Sequence, residues 1–235
     1  MDETKSAKTS SKKKKALILL SGGTMSLSLL NEAARVFTEV SPVYVQSGFR
    51  WEEAELHGLK KFLRVYKKPN VEPLTLLQLP LKDLFGGHWS NTGVKAPSAR
   101  AQSAETILPG RDFLMFAKAA VAATLGGYSV IGAGYTSESP MAQTARQFGE
   151  DIGALLGRYV NNRLGLWLPF AAKTRDEALF GAKDLNLEFS FSCMTPKGYL
   201  HCGECFKCHE RKLTFFKSGM TDKAPHHRPL TPAGI

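Results

Sequence analysis

The 235-residue sequence lacks any apolar run approaching the roughly 18 residues that a membrane-spanning helix needs. Residues 1–15 also lack the apolar core of a signal peptide. These two absences predict a soluble, cytoplasmic protein that makes no contact with a membrane. The sequence contains no internal repeat.

Acidic residues are fewer than basic residues, 21 against 31, which gives a formal net charge of +10. Residues 1–15 hold six lysines against Asp2 and Glu3, so +4 of this charge lies there. We expect these residues to form a disordered basic tail, because they have little apolar surface to offset the entropy of ordering. The positive surplus suits phosphate-bearing partners, either nucleotide or nucleic acid.

Cysteine is scarce and clustered. The chain has four cysteines, all in one C-terminal stretch: Cys193, Cys202, Cys205 and Cys208. Because disulfides do not persist in a reducing cytosol, such grouped thiols indicate a metal site. Two-residue gaps let adjacent thiolates reach one ion, and four sulfurs complete the tetrahedron that zinc prefers in structural sites. An iron–sulfur cluster and a reduced cluster of free thiols are the alternatives.

Hydrophobic periodicity predicts strands that alternate with helices. The predicted strands cover residues 16–20, 43–45, 74–79 and 129–132, and the predicted helices cover residues 27–40, 52–63, 111–125, 142–160 and 174–180. This alternation is typical of a Rossmann-like parallel sheet with helices on both faces. We expect a nucleotide-binding α/β domain over residues 16–185 and a compact zinc-binding segment over residues 186–235. Residues 86–106 are predicted to form a long loop.

A glycine turn follows the first predicted strand. Ser21, Gly22, Gly23, Thr24, Met25 and Ser26 connect this strand to the first predicted helix. Glycines let a backbone approach phosphate closely, and free N–H groups at the start of a helix attract anions. The turn lacks the Lys-Ser/Thr ending of a Walker loop and the spacing of a dinucleotide fingerprint, so an ordinary tight turn is the alternative.

The cysteine segment has a longer pattern around it. Its features are Ser192-Cys193, the run from His201 to Cys208, and then Arg211, Phe215 or Phe216, Gly219 and Asp222. This pattern resembles the C-terminal zinc motif of the 7-cyano-7-deazaguanine synthase family. Upstream, residues 18–23 are similar to the first strand and phosphate loop of that family. Further matches follow in order at Gly48, Arg50, Glu52, Pro109-Gly110-Arg111, Gly132, Pro169 and Lys173.

The resemblance implies a PP-loop ATP pyrophosphatase type of fold that uses ATP, magnesium and zinc. It implies that the four cysteines bind zinc, that Ser21, Gly22, Gly23, Thr24 and Ser26 bind the pyrophosphate of ATP, and that Arg111 and Lys173 meet negative charge during catalysis. The implied reaction adenylates the carboxylate of 7-carboxy-7-deazaguanine, releases pyrophosphate, and leads with ammonia to the amide and then the nitrile. Queuosine biosynthesis is the implied pathway.

The sequence departs from the family pattern in three places. Met25 stands at the position of an aspartate, Asp112 at that of an asparagine, and residues 137–144 replace an acidic segment. A thioether is a poor substitute for a carboxylate that binds Mg²⁺.

Three functions therefore stay open. The first is a ligase that acts with ammonia or with another amine, including an amine on a partner protein. The second is a non-catalytic protein that binds a nucleotide or a 7-deazapurine. The third is a nucleic-acid-binding or scaffolding module, for which the basic tail is the only support. A homodimer is a further expectation about partners.

Overall fold

The computed structural model describes residues 14–139, 142–160 and 164–228. The basic tail predicted for residues 1–15 lies, apart from Lys14 and Lys15, outside the described residues. Within those ranges no helix is both long and apolar enough to cross a bilayer.

Five parallel strands form one sheet in the order β3-β2-β1-β4-β5. They are β1 (Lys15–Leu19), β2 (Glu39–Gln46), β3 (Thr75–Gln78), β4 (Val130–Gly132) and β5 (Gly165–Trp167). The chain builds outward from β1 to β3 and then crosses back to place β4 on the other side of β1. The connections after β1 and β4 diverge at the carboxyl end of the sheet, and this switch point is where doubly wound folds bind ligands.

Eight helices connect or follow the strands in the described ranges. They are α1 (Thr24–Val36), α2 (Glu52–Val65), α3 (Lys82–Phe85), α4 (Trp89–Thr92), α5 (Arg111–Leu125), α6 (Ala142–Val160), α7 (Arg175–Phe180) and α8 (Phe206–Lys217). Two short 3₁₀ helices cover Ser103–Thr106 and Leu187–Phe189.

Both faces of the sheet are buried. Alternate residues of β1 point to opposite sides, so Ile18 packs in the core under α1 and α2 while Leu17 packs in the core under α5. A strand that is covered on both faces is apolar throughout, as residues 16–20 are. The predicted Rossmann-like parallel sheet with helices on both faces is confirmed.

The bounds of two predicted elements are wrong between residues 27 and 45. Helix α1 ends at Val36, and residues 39 and 40 already belong to β2, which is eight residues long rather than three. Pro42 lies inside this strand and argues against a strand from sequence alone, because proline cannot donate a ladder hydrogen bond. On the side of β3, Val40 pairs with Val71 and the ladder with β3 itself begins at Val43, so Pro42 lies in the gap between these two pairings.

Several elements were not predicted, namely the short helices α3 and α4, both 3₁₀ helices, β5 and α8. Strand β5 has only three residues and is defined by its pairing with β4, which local sequence does not reveal. Helix α8 lies within the cysteine segment, and Cys208, Arg211 and Phe215 lie on its buried side at helical spacing. The long loop predicted over residues 86–106 also contains α4 and the first 3₁₀ helix.

Candidate active site and metal centre

Residues 21–26 lie at the switch point between β1 and β4, where the resemblance places the phosphate loop. Gly22 has a φ of +80°, and a Cβ there would lie 3.1 Å from the Glu55 carbonyl oxygen, so the position requires glycine. Gly23 caps α1 without a side-chain hydrogen bond, and the first turn holds no acidic residue. Within the part of the chain that the structure describes, the first N–H groups of α1 therefore have no side-chain acceptor, which is an arrangement suited to an anion.

The two serine hydroxyls of this loop differ in exposure and in hydrogen bonding. Ser21 is exposed, and its Oγ lies 3.4 Å from the backbone nitrogen of Gly23. Ser26 is buried, and its Oγ donates to the Gly23 carbonyl at 2.9 Å. Ser21 is thus open to a ligand, whereas Ser26 supports the turn. Their contacts with pyrophosphate stay a prediction.

Met25 packs onto the main core instead of presenting a ligand atom. It is partly buried against the cluster that includes Leu27 and Leu29. Gly134, in the segment after β4, approaches so closely that a Cβ on it would lie 3.2 Å from the Met25 carbonyl oxygen. The loops after β1 and β4 are therefore in contact at the switch point.

Arg111 begins α5 and is held by its neighbour. Its Nε donates to Asp112 Oδ1 at 2.8 Å, and the hydroxyl of Tyr135 donates to Asp112 Oδ2 at 2.9 Å. Burial and the Asp112 carboxylate raise the pKa of Tyr135 well above its ordinary value, so the phenol stays protonated and keeps this hydrogen bond. Tyr135 follows β4 by three residues, so the Arg111 group lies at the same edge of the sheet as the phosphate loop.

Glu55 and Tyr44 form a second polar pair near this edge, and sequence reasoning missed both. The Tyr44 hydroxyl donates to Glu55 Oε2 at 2.7 Å. Burial raises the pKa of Glu55 to about 8, although the hydrogen bond from Tyr44 and the charge of Arg111 lower it. Glu55 thus exchanges a proton near neutral pH. The only sequence signal was its position in the first turn of the helix after β2.

Lys173 is exposed and lies in the segment that follows β5. Its Nζ is 5.7 Å from the centre of the Phe170 ring, and its carbonyl oxygen accepts hydrogen bonds from the backbone nitrogen and Oγ of Ser137, both at 2.9 Å. In the described ranges, no hydrogen bond or ion pair joins Lys173 Nζ to the phosphate loop or to Arg111. Its contact with a ligand stays a prediction.

Glu52 and Arg50 also match the family pattern. Their side chains form hydrogen bonds with backbone groups. Glu52 is buried and accepts hydrogen bonds from the backbone nitrogens of Ser47 and Gly48 at 2.7 and 2.9 Å. Arg50 donates to the Thr92 carbonyl at 2.7 Å. The two residues thus fix the turn after β2 and the loop that follows β3.

The four cysteine sulfurs lie within 4.8 Å of one another, and all four side chains are buried. Sulfur–sulfur distances are 3.9 Å for Cys193 with Cys205, 3.8 Å for Cys202 with Cys208, and 3.6 Å for Cys205 with Cys208. A tetrahedron whose centre lies about 2.3 Å from each sulfur, the usual zinc–thiolate distance, has edges of about 3.8 Å. The arrangement therefore fits a four-thiolate zinc site.

Backbone N–H groups point at these sulfurs. Cys202 Sγ accepts from the backbone nitrogens of Glu204 and Cys205, both at 3.3 Å. Hydrogen bonds from the other three thiols lower the pKa of Cys202. The turn needs Gly203, which has a φ of +87° and would place a Cβ 2.5 Å from the Arg228 carbonyl oxygen. These hydrogen bonds favour the thiolate form at Cys202, the form in which cysteine binds a metal.

The metal segment is packed onto the α/β body. The cysteines share a buried cluster with Phe49, Trp51 and Leu108. The backbone nitrogen of Phe191 donates to the Gly22 carbonyl at 2.8 Å, which ties the segment to the phosphate loop. The division of the chain at residues 185 and 186 stays a prediction.

Arg211 lies below the cysteines in α8 and is almost completely buried. Its Nε and Nη2 donate to Asp222 at 2.7 and 2.8 Å, and its Nη1 donates to Ser190 Oγ at 2.8 Å. Burial raises the pKa of Asp222, but the hydrogen bonds and charge of Arg211 more than offset this, so that the pKa lies below its ordinary value. Arg211 is thus neutralised by Asp222 and is not free to offset the charge of the thiolates.

These features define a Rossmann-like α/β protein. Its switch point holds a helix start without a side-chain cap, and its C-terminal segment holds a four-cysteine centre. The chain belongs to the family described as queuosine biosynthesis protein QueC, whose model matches residues 15–219. The family expected from the sequence motifs, an ATP-dependent ligase family of the 7-cyano-7-deazaguanine synthase type, is confirmed.

Curated relatives agree with this family over most of their length. The chain is 25% identical to a 7-cyano-7-deazaguanine synthase of Methanocaldococcus jannaschii, covering 90% of this chain and 99% of the relative. It is 28% identical to that of Leptospira interrogans, covering 93% of each chain. It is 29% identical to 7-cyano-7-deazaguanine synthase 1 of Desulfitobacterium hafniense, covering 85% of this chain and 90% of the relative.

Proposed function

We propose that the protein is an ATP-dependent C–N ligase that activates the carboxylate of 7-carboxy-7-deazaguanine or a related small molecule. The carboxylate oxygen attacks the α-phosphorus of ATP, the bond to the bridging oxygen breaks, and pyrophosphate leaves. An amine then attacks the acyl carbon, AMP leaves with the electron pair of the C–O bond, and the nitrogen loses a proton to give the amide. With ammonia as the amine, a second activation at the amide oxygen and loss of AMP and protons give the nitrile.

The observation that carries the proposal is the start of α1 at the switch point, which has no side-chain cap. Among the described residues, no side chain accepts from the backbone N–H groups of Thr24 and Met25, and the turn before them requires glycine at position 22. Fixed donors of this kind stabilise charge that builds on a leaving pyrophosphate without reorganising during the reaction. Membership of the QueC family supports this assignment of a PP-loop.

Arg111 and Glu55 are suited to the acyl side of the reaction. Asp112 holds Arg111 in place, and its guanidinium can pair with a substrate carboxylate or an α-phosphate oxygen. Glu55, with a pKa near 8, can accept the proton that an attacking amine loses. We propose Lys173 as a contact for the outer phosphate oxygens, because it is exposed on the segment that Ser137 holds.

The loop supplies no carboxylate for magnesium. Within residues 21–26 the family aspartate is Met25, and the nearby Asp112 and Glu55 are already paired with Arg111 and Tyr44. We therefore assign magnesium to the phosphates of ATP rather than to a protein carboxylate.

Incubation with ATP, magnesium and 7-carboxy-7-deazaguanine tests the proposal. We expect AMP and pyrophosphate to form only when the deazaguanine is present, and Arg111→Gln to slow AMP formation about 100-fold, as for loss of one transition-state donor. The matched control is Arg158→Gln, which removes an exposed arginine of α6 and should leave the rate unchanged. AMP formation that does not depend on the deazaguanine, or an unchanged rate in Arg111→Gln, would contradict the proposal.

Met25→Asp is a second test. We expect it to raise AMP formation and to make the rate more dependent on magnesium, because it restores a hard oxygen ligand beside the phosphates. Met25→Leu is the control, since it keeps the packing against the core without adding an oxygen. Equal rates in both variants and in the parent protein would show that position 25 does not limit metal-assisted turnover.

The same assay distinguishes the remaining alternatives. Nitrile product indicates ammonia as the acceptor, whereas a mass increase on a protein indicates a protein partner. Ligand binding without AMP indicates the non-catalytic alternative, for which the packed side chain of Met25 is the supporting observation. The homodimer and the nucleic-acid role of the tail stay predictions. We further infer zinc in the four-thiolate site and a reducing compartment such as the cytoplasm.

A further inference from the structure

A cavity with a volume of about 300 Å³ lies between α1, α2 and the segment after α7. We refer to it as the α1–α2 pocket. Its lining includes Asn31, Arg35, Tyr66, Lys67, Lys68 and Asp184. Arg35 follows the start of α1 by 11 residues, or about 16 Å of helix, so the pocket lies at the end of α1 opposite the phosphate loop.

The pocket is positively charged. Three of its lining residues are cationic and Asp184 is acidic. Arg35 is already paired with Glu32 at 2.9 Å, and together with Arg64 it stands in the last turns of α1 and α2, where cations offset the negative ends of helices. Among the described residues no carboxylate lies within ion-pair distance of Lys67 or Lys68. These two ammonium groups are therefore available to an anion.

Asn31 provides a buried polar group in the wall. Its side chain is 8% exposed, and its Oδ1 accepts from the Tyr66 hydroxyl at 3.3 Å. Burial raises the pKa of Tyr66 to about 12, so the hydroxyl stays a donor and orients the amide. The Nδ2 group of Asn31 donates to no described residue. This amide nitrogen keeps some exposure to solvent, so it is open to a ligand or to water.

The neighbouring aromatic side chains make this wall firm. The Tyr66 ring stacks on Phe62, with ring centres 5.0 Å apart and planes at 17°. Phe62 is fully buried, which fixes the position of Tyr66. The pocket thus has a preformed wall with the amide of Asn31, a carboxylate acceptor in Asp184 and two lysines without a carboxylate partner among the described residues. Its volume is within the size range of small-ligand sites.

We propose that the α1–α2 pocket binds a nucleoside monophosphate. Lys67 and Lys68 pair with its phosphate, while the Asn31 amide and the Asp184 carboxylate bind the base, whose edge carries both acceptors and donors. The two lysines alone would suit any phosphate. The adjacent donor and acceptor make the site more suited to a ligand with a base attached.

Calorimetric titration of the full chain with AMP, GMP, CMP, UMP and inorganic phosphate tests the proposal. We expect at least one nucleoside monophosphate to bind more tightly than inorganic phosphate. Lys67→Ala combined with Lys68→Ala should weaken that binding about 10-fold or more, because two charge-assisted contacts are lost. Lys60→Ala combined with Lys61→Ala is the control, since these exposed lysines of α2 do not line the pocket.

A second variant separates the pocket from the proposed active site. Arg111→Gln should leave unchanged the part of nucleoside monophosphate binding that the Lys67/Lys68 double variant removes, and this double variant should leave AMP formation from ATP unchanged. Equal affinities for inorganic phosphate and for every nucleotide would overturn the proposal. So would nucleotide binding that Arg111→Gln removes and the lysine variant does not, or the absence of binding at millimolar concentrations.

Discussion

Cys208→Ser is expected to lower the melting temperature by about 8–16 °C and to abolish stoichiometric metal binding. Cys208 is fully buried, and its sulfur lies within 3.8 Å of two other cysteine sulfurs. Closed four-thiolate sites contribute to folding directly, with apparent binding energies of about 10–16 kcal/mol in zinc-finger peptides. Each kcal/mol shifts the melting temperature of a chain of this size by roughly 2–4 °C. The expected decrease in melting temperature therefore corresponds to a loss of about 4 kcal/mol of this stabilisation.

The effect extends beyond the C-terminal segment because the cysteines share a buried cluster with Phe49 and Trp51 of the α/β body. Elemental analysis and thermal unfolding, each with and without a chelator, measure it. His209→Ala is the matched control: His209 adjoins Cys208 but lies outside the ligand set, so the variant should retain one zinc per chain. Iron in place of zinc, or a metal-free Cys208→Ser protein that melts like the parent, would refute the assignment.

Arg211→Leu is expected to cost about 3–5 kcal/mol, because removing one partner of a buried ion pair leaves the other charge uncompensated. The Arg211 side chain is 1% exposed and that of Asp222 is 9% exposed. The comparison is Arg35→Leu, which breaks the exposed pair with Glu32 and should cost no more than about 1 kcal/mol. Chemical denaturation of the three proteins measures both differences.

This cost depends on pH with a defined sign. Because the pKa of Asp222 is lower in the folded protein than in the unfolded chain, the pair stabilises the fold above the ordinary aspartate pKa of about 3.9 and is lost as pH falls through the folded value. The difference between the parent protein and Arg211→Leu should therefore narrow below about pH 4. A difference that stays constant down to pH 3 would show that lost packing, rather than the charge, dominates the cost.

The sequence was most informative where the structure depends on residues that are close to one another along the chain. Helix α5 has the predicted bounds, since its signals are an apolar periodicity and a Pro-Gly start. The Ser-Gly-Gly turn and the cysteine spacing are likewise local patterns. Strand β2 was underestimated because the consequence of Pro42 depends on where its neighbour β3 begins to pair.

The candidate site was less predictable, because its polar pairs join separate elements. Tyr44 meets Glu55 only after β2 and α2 have packed together, and Tyr135 meets Asp112 across 23 residues. The burial that raises the pKa of Glu55 to about 8 depends on the whole fold. Arg211 and Asp222 both belong to the family pattern, but their ion pair across 11 residues is visible only in the folded chain.

Under the proposed function, the hydrogen bond from Phe191 to Gly22 would link metal binding at the cysteines to nucleotide binding at the phosphate loop. Phe191 stands two residues before Cys193, so any ion that orders the cysteines also restrains the backbone on which pyrophosphate would rest. Linkage is reciprocal, and whatever factor the metal adds to nucleotide affinity the nucleotide adds to metal affinity. Under the proposed function, zinc availability would then influence nucleotide binding by the α/β domain.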